Sequence, residues 1–364
     1  MSDLSDVQYK FIKAVQQNDV QEALAIAMAK KNEFRALIIA ISHNRVQIAE
    51  WLLRMGWDPN EVQQRDGCTP LHAAIRKKSN EMVSQLIFKG ADIHKTDNTG
   101  NTPMATSVRV KMDAKAMQVY YTLAACMRDT DFHSRNILGD TLLHAVARNA
   151  WAPFQVFRDM MLRGVNVNER DAYTGRNFVM EHLIFQPDQY FVIRIISLAI
   201  NNGLDVNATD AFGNTILHRM ASEERDVALR WMTGLPNVQI GVANALGQTP
   251  LWIAARRGNT KVFRLLFGMG ESVECDAILY SGGQSRKSVR AVAVSNENNE
   301  VVELVDQELG GQLSENGIRP VKSLFALTRN AIRGVLAKEG VNIQPKVDQL
   351  ELPNMLKRSL VLIN

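Results

Sequence analysis

Apolar residues recur along this chain at three- and four-residue steps, in short bursts separated by Gly, Asp and Asn. In "DGCTPLHAAIRKKSNEMVSQLIFKGADI" two bursts follow one another, the first opening at Thr69 and Pro70 and the second closing at Gly90. This spacing predicts a pair of short amphipathic helices. The Thr69 hydroxyl can accept a bond from an amide one turn in, and Pro70 takes the first helical position, where a missing N–H costs nothing. Gly90 follows the second helix, where the left-handed conformation favours glycine.

The pattern returns as "GNTPMATSV", "GDTLLHAVA", "GRNFVMEHL", "GNTILHRMA" and "GQTPLWIAA". The positions equivalent to Thr69 are Thr102, Thr141, Asn177, Thr215 and Thr249, at steps of 33, 39, 36, 38 and 34 residues. One supersecondary unit with loop insertions therefore repeats. Between units, Asp97 to Gly100, Asp210 to Gly213 and Asn244 to Gly247 place Asp or Asn first and Gly fourth, the preference of a type I turn. Each unit can bury its apolar face only against its neighbours, which predicts a stacked array whose surface binds other proteins. Tyr173, Phe212 and Leu246 fall in successive inter-repeat turns, where polar residues are expected. They are candidate target contacts, or they pack on adjacent turn tips and touch no partner.

Towards the C-terminal end the pattern weakens. In "KSVRAVAVSNENNEVVELVDQELGG", Val301, Val302 and Leu304 match the second helix, while Arg290 falls at an apolar position. After the break "GGQLSENGIRP", Leu324, Leu327, Ala331, Val335 and Leu336 again recur at helical spacing, with Ile332 widening the stripe and Ser323 as the N-cap. Leu352, Leu356 and Leu360 form a second stripe near Pro353. Two short amphipathic helices bury little core alone. They need a partner, either the last repeat or another protein.

Composition narrows the function. The 364 residues are 46% apolar and 22% charged, as in folded globular chains. The start "MSDLSDVQYKFIK" has no basic region followed by an apolar run, and no stretch approaches the roughly 18 apolar residues of a membrane span. Three widely spaced cysteines argue against a disulfide framework. Cytosol or nucleus is the expected compartment. The net charge of +4 comes from scattered residues, which points away from nucleic acid. His72, His144 and His218 recur at one place in the unit, where they are expected to serve the repeat's own hydrogen bonding. No "CxxC" or "HExxH" spacing exists, so neither metal nor cofactor is expected. "SGGQSRKS", Ser281 to Ser288, lacks the Gly-Lys pair of a phosphate loop and reads as linker. With no Ser/His/Asp or Cys/His set in view, the expectation is a non-enzyme.

The units resemble ankyrin repeats, with "TPLH", "GADI" and "GLDVN" as the family's marks, over most of Asn32 to Gly270. Residues 1–31 resemble a capping helix pair, 32–276 the array, and 277–319 a linker with room for a degenerate terminal repeat. Residues 320–364 resemble a SOCS box: Ser323, Leu324, Thr328 and Ile332 fall on the positions of its first helix, and Leu350, Glu351, Leu352 and Pro353 on its "LPLP". Thr328 stands where that family has Cys, and Glu351 where it has the first Pro. The resemblance implies an all-α ankyrin solenoid followed by a small helical module. It implies elongin C binding by Leu324, Leu327, Thr328 and Ile332, and cullin binding by Leu350, Leu352, Pro353 and Leu356. The partners would be elongin B, elongin C and cullin 5 or cullin 2 with its RING protein. The chain would then be the substrate-recognition adaptor of a ubiquitin ligase. A scaffold or inhibitor that masks a partner such as a transcription factor is the alternative.

Overall fold

The structure, a computed structural model, describes residues 2–29, 35–273, 276–278 and 286–313. The residues expected to bind elongin and cullin, Leu324 to Leu356, lie outside the described residues, as does most of the stretch Ser281 to Ser288. Two compact units divide between Tyr173 and Thr174.

The first unit opens with α1 (Ser2–Gln17) and α2 (Val20–Ala29), followed by helix pairs α3 (Ala36–Ser42) with α4 (Val46–Arg54), α5 (Pro70–Arg76) with α6 (Asn80–Phe88), α7 (Pro103–Arg109) with α8 (Ala114–Ala125), and α9 (Leu142–Ala147) with α10 (Phe154–Leu162). A 3-10 turn, Asp129–His133, precedes α9. The second unit holds α11 (Phe178–Phe185) with α12 (Gln189–Asn201), α13 (Ile216–Ser222) with α14 (Asp226–Thr233), α15 (Pro250–Arg257) with α16 (Thr260–Gly268), and α17 (Val289–Ser295) with α18 (Asn299–Leu313). Within each unit the first helix of a pair packs on the first helix of the next pair, and second on second, as α5 does on α7 and α14 on α16. Two layers of helix result, with the core between and along them.

Local chemistry explains where each first helix starts. The side chains of Thr69, Thr102, Asn177 and Thr249 accept bonds from the amides of His72, Ala105, Met180 and Trp252, each three residues on. These satisfy donors that the helix itself leaves orphaned. Pro70, Pro103 and Pro250 take the first helical position. Behind the caps, Leu71, Ile75, Val83 and Leu86 lose all contact with solvent, and Leu251, Ala255, Phe263 and Leu266 do the same in the second unit.

The expected helical array is what the structure shows, and one connection adds a short ladder, in which β1 (Asp276–Ile278) pairs antiparallel with β2 (Arg286–Ser288). The residues between Glu271 and Ser288 lengthen this inter-repeat connection, and its backbone groups pair across two strands where shorter connections make a turn. The indole N–H of Trp252 donates to the Lys287 carbonyl at 3.0 Å and ties β2 to α15. Ser288 caps α17 by accepting from the Ala291 amide at 3.2 Å, so Ser288 is the next residue in the series Thr215, Thr249. Arg290 takes an exposed position and binds Asp306 of α18 at 2.9 Å, which accommodates a charge where other units carry an apolar residue. α18 continues to Leu313, through the Gly310 and Gly311 expected to break it.

Candidate protein-recognition surface

The recurring histidines brace the turns. The Thr69 N–H points at His72 Nδ1 (3.3 Å) and the Thr69 hydroxyl lies 2.9 Å from the same nitrogen, so Nδ1 is the acceptor. Nε2 then carries the proton and donates to the Asn101 carbonyl at 3.1 Å. His218 repeats the arrangement, with Nδ1 3.0 Å from the Thr215 amide and Nε2 3.0 Å from the Gln248 carbonyl. Burial pushes both imidazoles below the ordinary histidine range, outweighing the carbonyl bonds that favour the charged form. In the next unit Trp252 replaces the histidine, and its indole N–H makes the equivalent bond to Lys287. Each donor reaches the backbone immediately before the next cap, so one helix start positions the turn that leads to the next.

The turns are locked from within as well. Asp97 Oδ1 accepts from the amides of Thr99 (2.9 Å) and Asn101 (3.0 Å), Asn136 Oδ1 from Leu138 and Asp140, Asp210 Oδ1 from Phe212 and Asn214, and Asn244 Oδ1 from Leu246 and Gln248. Asp171 Oδ1 accepts from Tyr173 at 2.8 Å. These are Asx turns, which hold the residue two positions on in a fixed orientation. Burial raises the Asp97 pKa, yet the bonds from Thr99 and Asn101 outweigh it and hold the carboxyl below its usual range. Successive turns also join backbone to backbone. The Ala172 amide donates to the Leu138 carbonyl (3.1 Å), and the Ala245 amide to the Phe212 carbonyl (3.0 Å). Gly213 has φ +77°, and a Cβ there would sit 2.8 Å from the Ala245 nitrogen, so only glycine permits this approach.

The side chains carried on this frame are apolar, and most of them are exposed. Tyr173 is 86% exposed and Phe212 49%, while Leu246 is half-buried on the turn joined to that of Phe212. In the first unit Tyr173 shares its surface with Ile137 (70%) and Leu138 (50%), which the sequence reading passed over. "NILG", Asn136 to Gly139, fits the Asx-first, Gly-fourth signal of the other turns, so alignment on that signal alone would have found Leu138. Charges beneath the tips are largely consumed internally. Arg76 pairs with Asp66 (3.2 Å), Arg148 with Asp140, and Arg219 with the buried Asp210 (3.6 Å). What the tips offer is therefore apolar side chains and backbone. Among the described residues no group of three or more His, Cys, Asp or Glu is placed to hold a metal ion, and no described helix is long and apolar enough to cross a membrane.

The sequence model of one family, ankyrin repeats, matches three copies over residues 11–97 and 189–278. I-Kappa-B like protein C2 of Microplitis demolitor bracovirus (isolate Webb) is 26% identical over 151 residues, which cover 40% of this chain and 80% of that protein. I-Kappa-B like protein G1 of the same virus is 29% identical over 108 residues, 29% of this chain and 60% of its own length. Among solved structures, the ankyrin repeat domain of Bcl-3, a member of the IkappaB protein family, aligns with a TM-score of 0.49 at 20% identity, over 64% of this chain and 97% of that one.

Proposed function

From the premise that this chain carries ankyrin repeats and is a protein-interaction scaffold, we propose that it holds and masks a protein partner through its turn tips, without catalysing a reaction. The carrying observation is that each unit by itself sets exposed apolar side chains on internally locked turns: Ile137, Leu138 and Tyr173 in the first, and Phe212, beside the half-buried Leu246, in the second. A soluble surface gains nothing from an 86% exposed tyrosine. A partner that buries such aromatics gains about 1–3 kcal/mol from each, and the turns' rigidity spares the ordering entropy. Similarity to two proteins described as I-Kappa-B like supports a masking role, with a transcription factor as one class of target.

The test compares wild type with a Leu138→Ala, Tyr173→Ala, Phe212→Ala triple variant in cross-linked capture from cells. The proteins held by wild type should fall by tenfold or more with the variant, and its thermal midpoint should stay unchanged because the three side chains are solvent-facing. An unchanged captured set would refute tip recognition.

A second reading is favoured by sequence alone: the order of Leu324, Thr328 and Ile332, then Leu352 and Pro353, supports a ubiquitin-ligase adaptor whose C-terminal segment binds elongin C and a cullin. There the array would bring a target near a charged conjugating enzyme by raising its effective concentration. Co-expression with elongin B and elongin C decides it. Co-elution of wild type but not of Leu324→Asp supports the adaptor, and failure of wild type to co-elute removes it.

A further inference from the structure

In the first unit α5, α7 and α9 each start after a turn and end at the connection to their second helix, so these connections form a second edge, away from the turn tips. They are locked to their neighbours. Arg45, between α3 and α4, donates to the Val15 and Gln16 carbonyls at 2.8 and 2.6 Å. Lys78, between α5 and α6, pairs with Asp113, between α7 and α8, at 2.6 Å. Asn149 Nδ2, between α9 and α10, donates to the Val108 and Val110 carbonyls, both at 2.7 Å, and its Oδ1 accepts from the Trp151 amide at 3.0 Å. Trp151 is thereby set beside Lys111, whose ammonium lies 4.5 Å from the centre of the indole ring. The rest of that ring faces solvent: Trp151 is 63% exposed, and the other four tryptophans are half-buried or buried.

Charge on this edge is one-sided. Residues 43–45, 77–79, 110–113 and 149–153 carry Arg45, Lys77, Lys78 and Lys111 against one carboxylate, Asp113, which Lys78 consumes. Arg45 is met by carbonyls alone, and the exposed Lys77 and Lys111 form no ion pair among the described residues. In the adjoining first turns, Glu81 of α6 and Lys115 of α8 offset each other.

We propose that this edge docks an extended acidic segment of a partner protein, with carboxylates on Lys77 and Lys111 and an apolar side chain on the open part of Trp151. Helices packed side by side lie about 8–10 Å apart, so Lys77 and Lys111, on successive connections, are spaced by about three extended residues. Trp151 adds one more connection to the row. The pattern recognised is therefore an acid, two spacers, an acid, two spacers and an apolar residue. The indole supplies apolar area with few rotamers to lose, and the locked connections hold both cations in place before binding. A single aromatic is no platform for stacking successive bases, which separates this edge from a groove for single-stranded nucleic acid. No tip residue takes part, so the assignment stands apart from tip recognition.

Calorimetry and indole emission on the full chain test it. The probe is a synthetic peptide in a Ser/Thr background with Asp at its first and fourth positions and Leu at its seventh, run beside the same peptide with Lys in place of Asp. The acidic peptide should bind and shift the emission, and the Lys peptide should do neither. Lys77→Gln with Lys111→Gln should weaken binding about tenfold, and added salt should weaken wild type more than this variant. Trp151→Ala should remove the emission change and weaken binding about tenfold, with an unchanged thermal midpoint because the ring is solvent-facing. Tyr173→Ala with Phe212→Ala should bind the peptide as wild type does, which keeps this result distinct from that of the tips. The assignment is overturned if wild type fails to bind the acidic peptide, or if the double lysine variant binds it as tightly. It is overturned too if oligouridine or phosphatidylserine vesicles, and not the peptide, are what the lysine variant releases.

Discussion

His218 satisfies two buried backbone groups with one ring, accepting from Thr215 and donating to the Gln248 carbonyl. His218→Ala leaves both stranded, and the expected cost is about 2–4 kcal/mol in urea unfolding at pH 7.5. Because burial depresses the folded-state pKa below the ordinary 6.5, neutral His218 favours the folded chain. Its stabilisation is therefore complete above pH 6.5 and is lost as pH falls through the lower, folded-state value, so the gap between wild type and variant should narrow on acidification. The residue's structural role was legible because His recurs three residues after a capping Thr. Trp252 was not legible as its substitute. An indole matches the role only because the Lys287 carbonyl lies within reach, and that depends on the course of β2.

Helix ends show a different device. α3 has no capping side chain at Arg35, and the Glu61 carboxylate from a distant loop accepts the Ile38 amide at 3.0 Å in its place. At α15, which Thr249 already caps, Glu271 accepts from Leu251 at 3.2 Å. Burial raises both carboxyls from 4.5 to about 7, opposed by the amide bonds they accept. For an acid whose folded pKa is raised, the folded chain binds the extra proton, so stability is greatest below pH 4.5 and falls as pH rises to about 7. Glu271→Gln keeps the acceptor and cannot ionise, so its stability relative to wild type should rise by up to about 3 kcal/mol between those limits. A gap that stays constant with pH would place the Glu271 titration at its ordinary value. No local pattern marks Glu61 or Glu271, because a cap supplied from another element has no fixed sequence offset.

Across the whole molecule, stability is a sum of units and nearest-neighbour contacts. His218→Ala should therefore accelerate amide exchange in α13 to α16 while leaving α5 to α8 unaffected, and uniform acceleration would indicate a single cooperative core. The sequence by itself determined the repeat, its helix starts and its turns, because Thr caps, Pro at the first helical position and Gly at left-handed sites act on backbone within a few residues. It also marked Tyr173 and Phe212 as anomalous. Tertiary structure alone decided that Leu246 is half sheltered while Leu138 and Ile137 stand out, that Ser288 opens another unit despite Arg290, and that Val294 is uncovered where Ile75 is not. Exposure depends on what the neighbouring unit places opposite a side chain, and a periodic sequence writes the same residue type whether or not a neighbour is there.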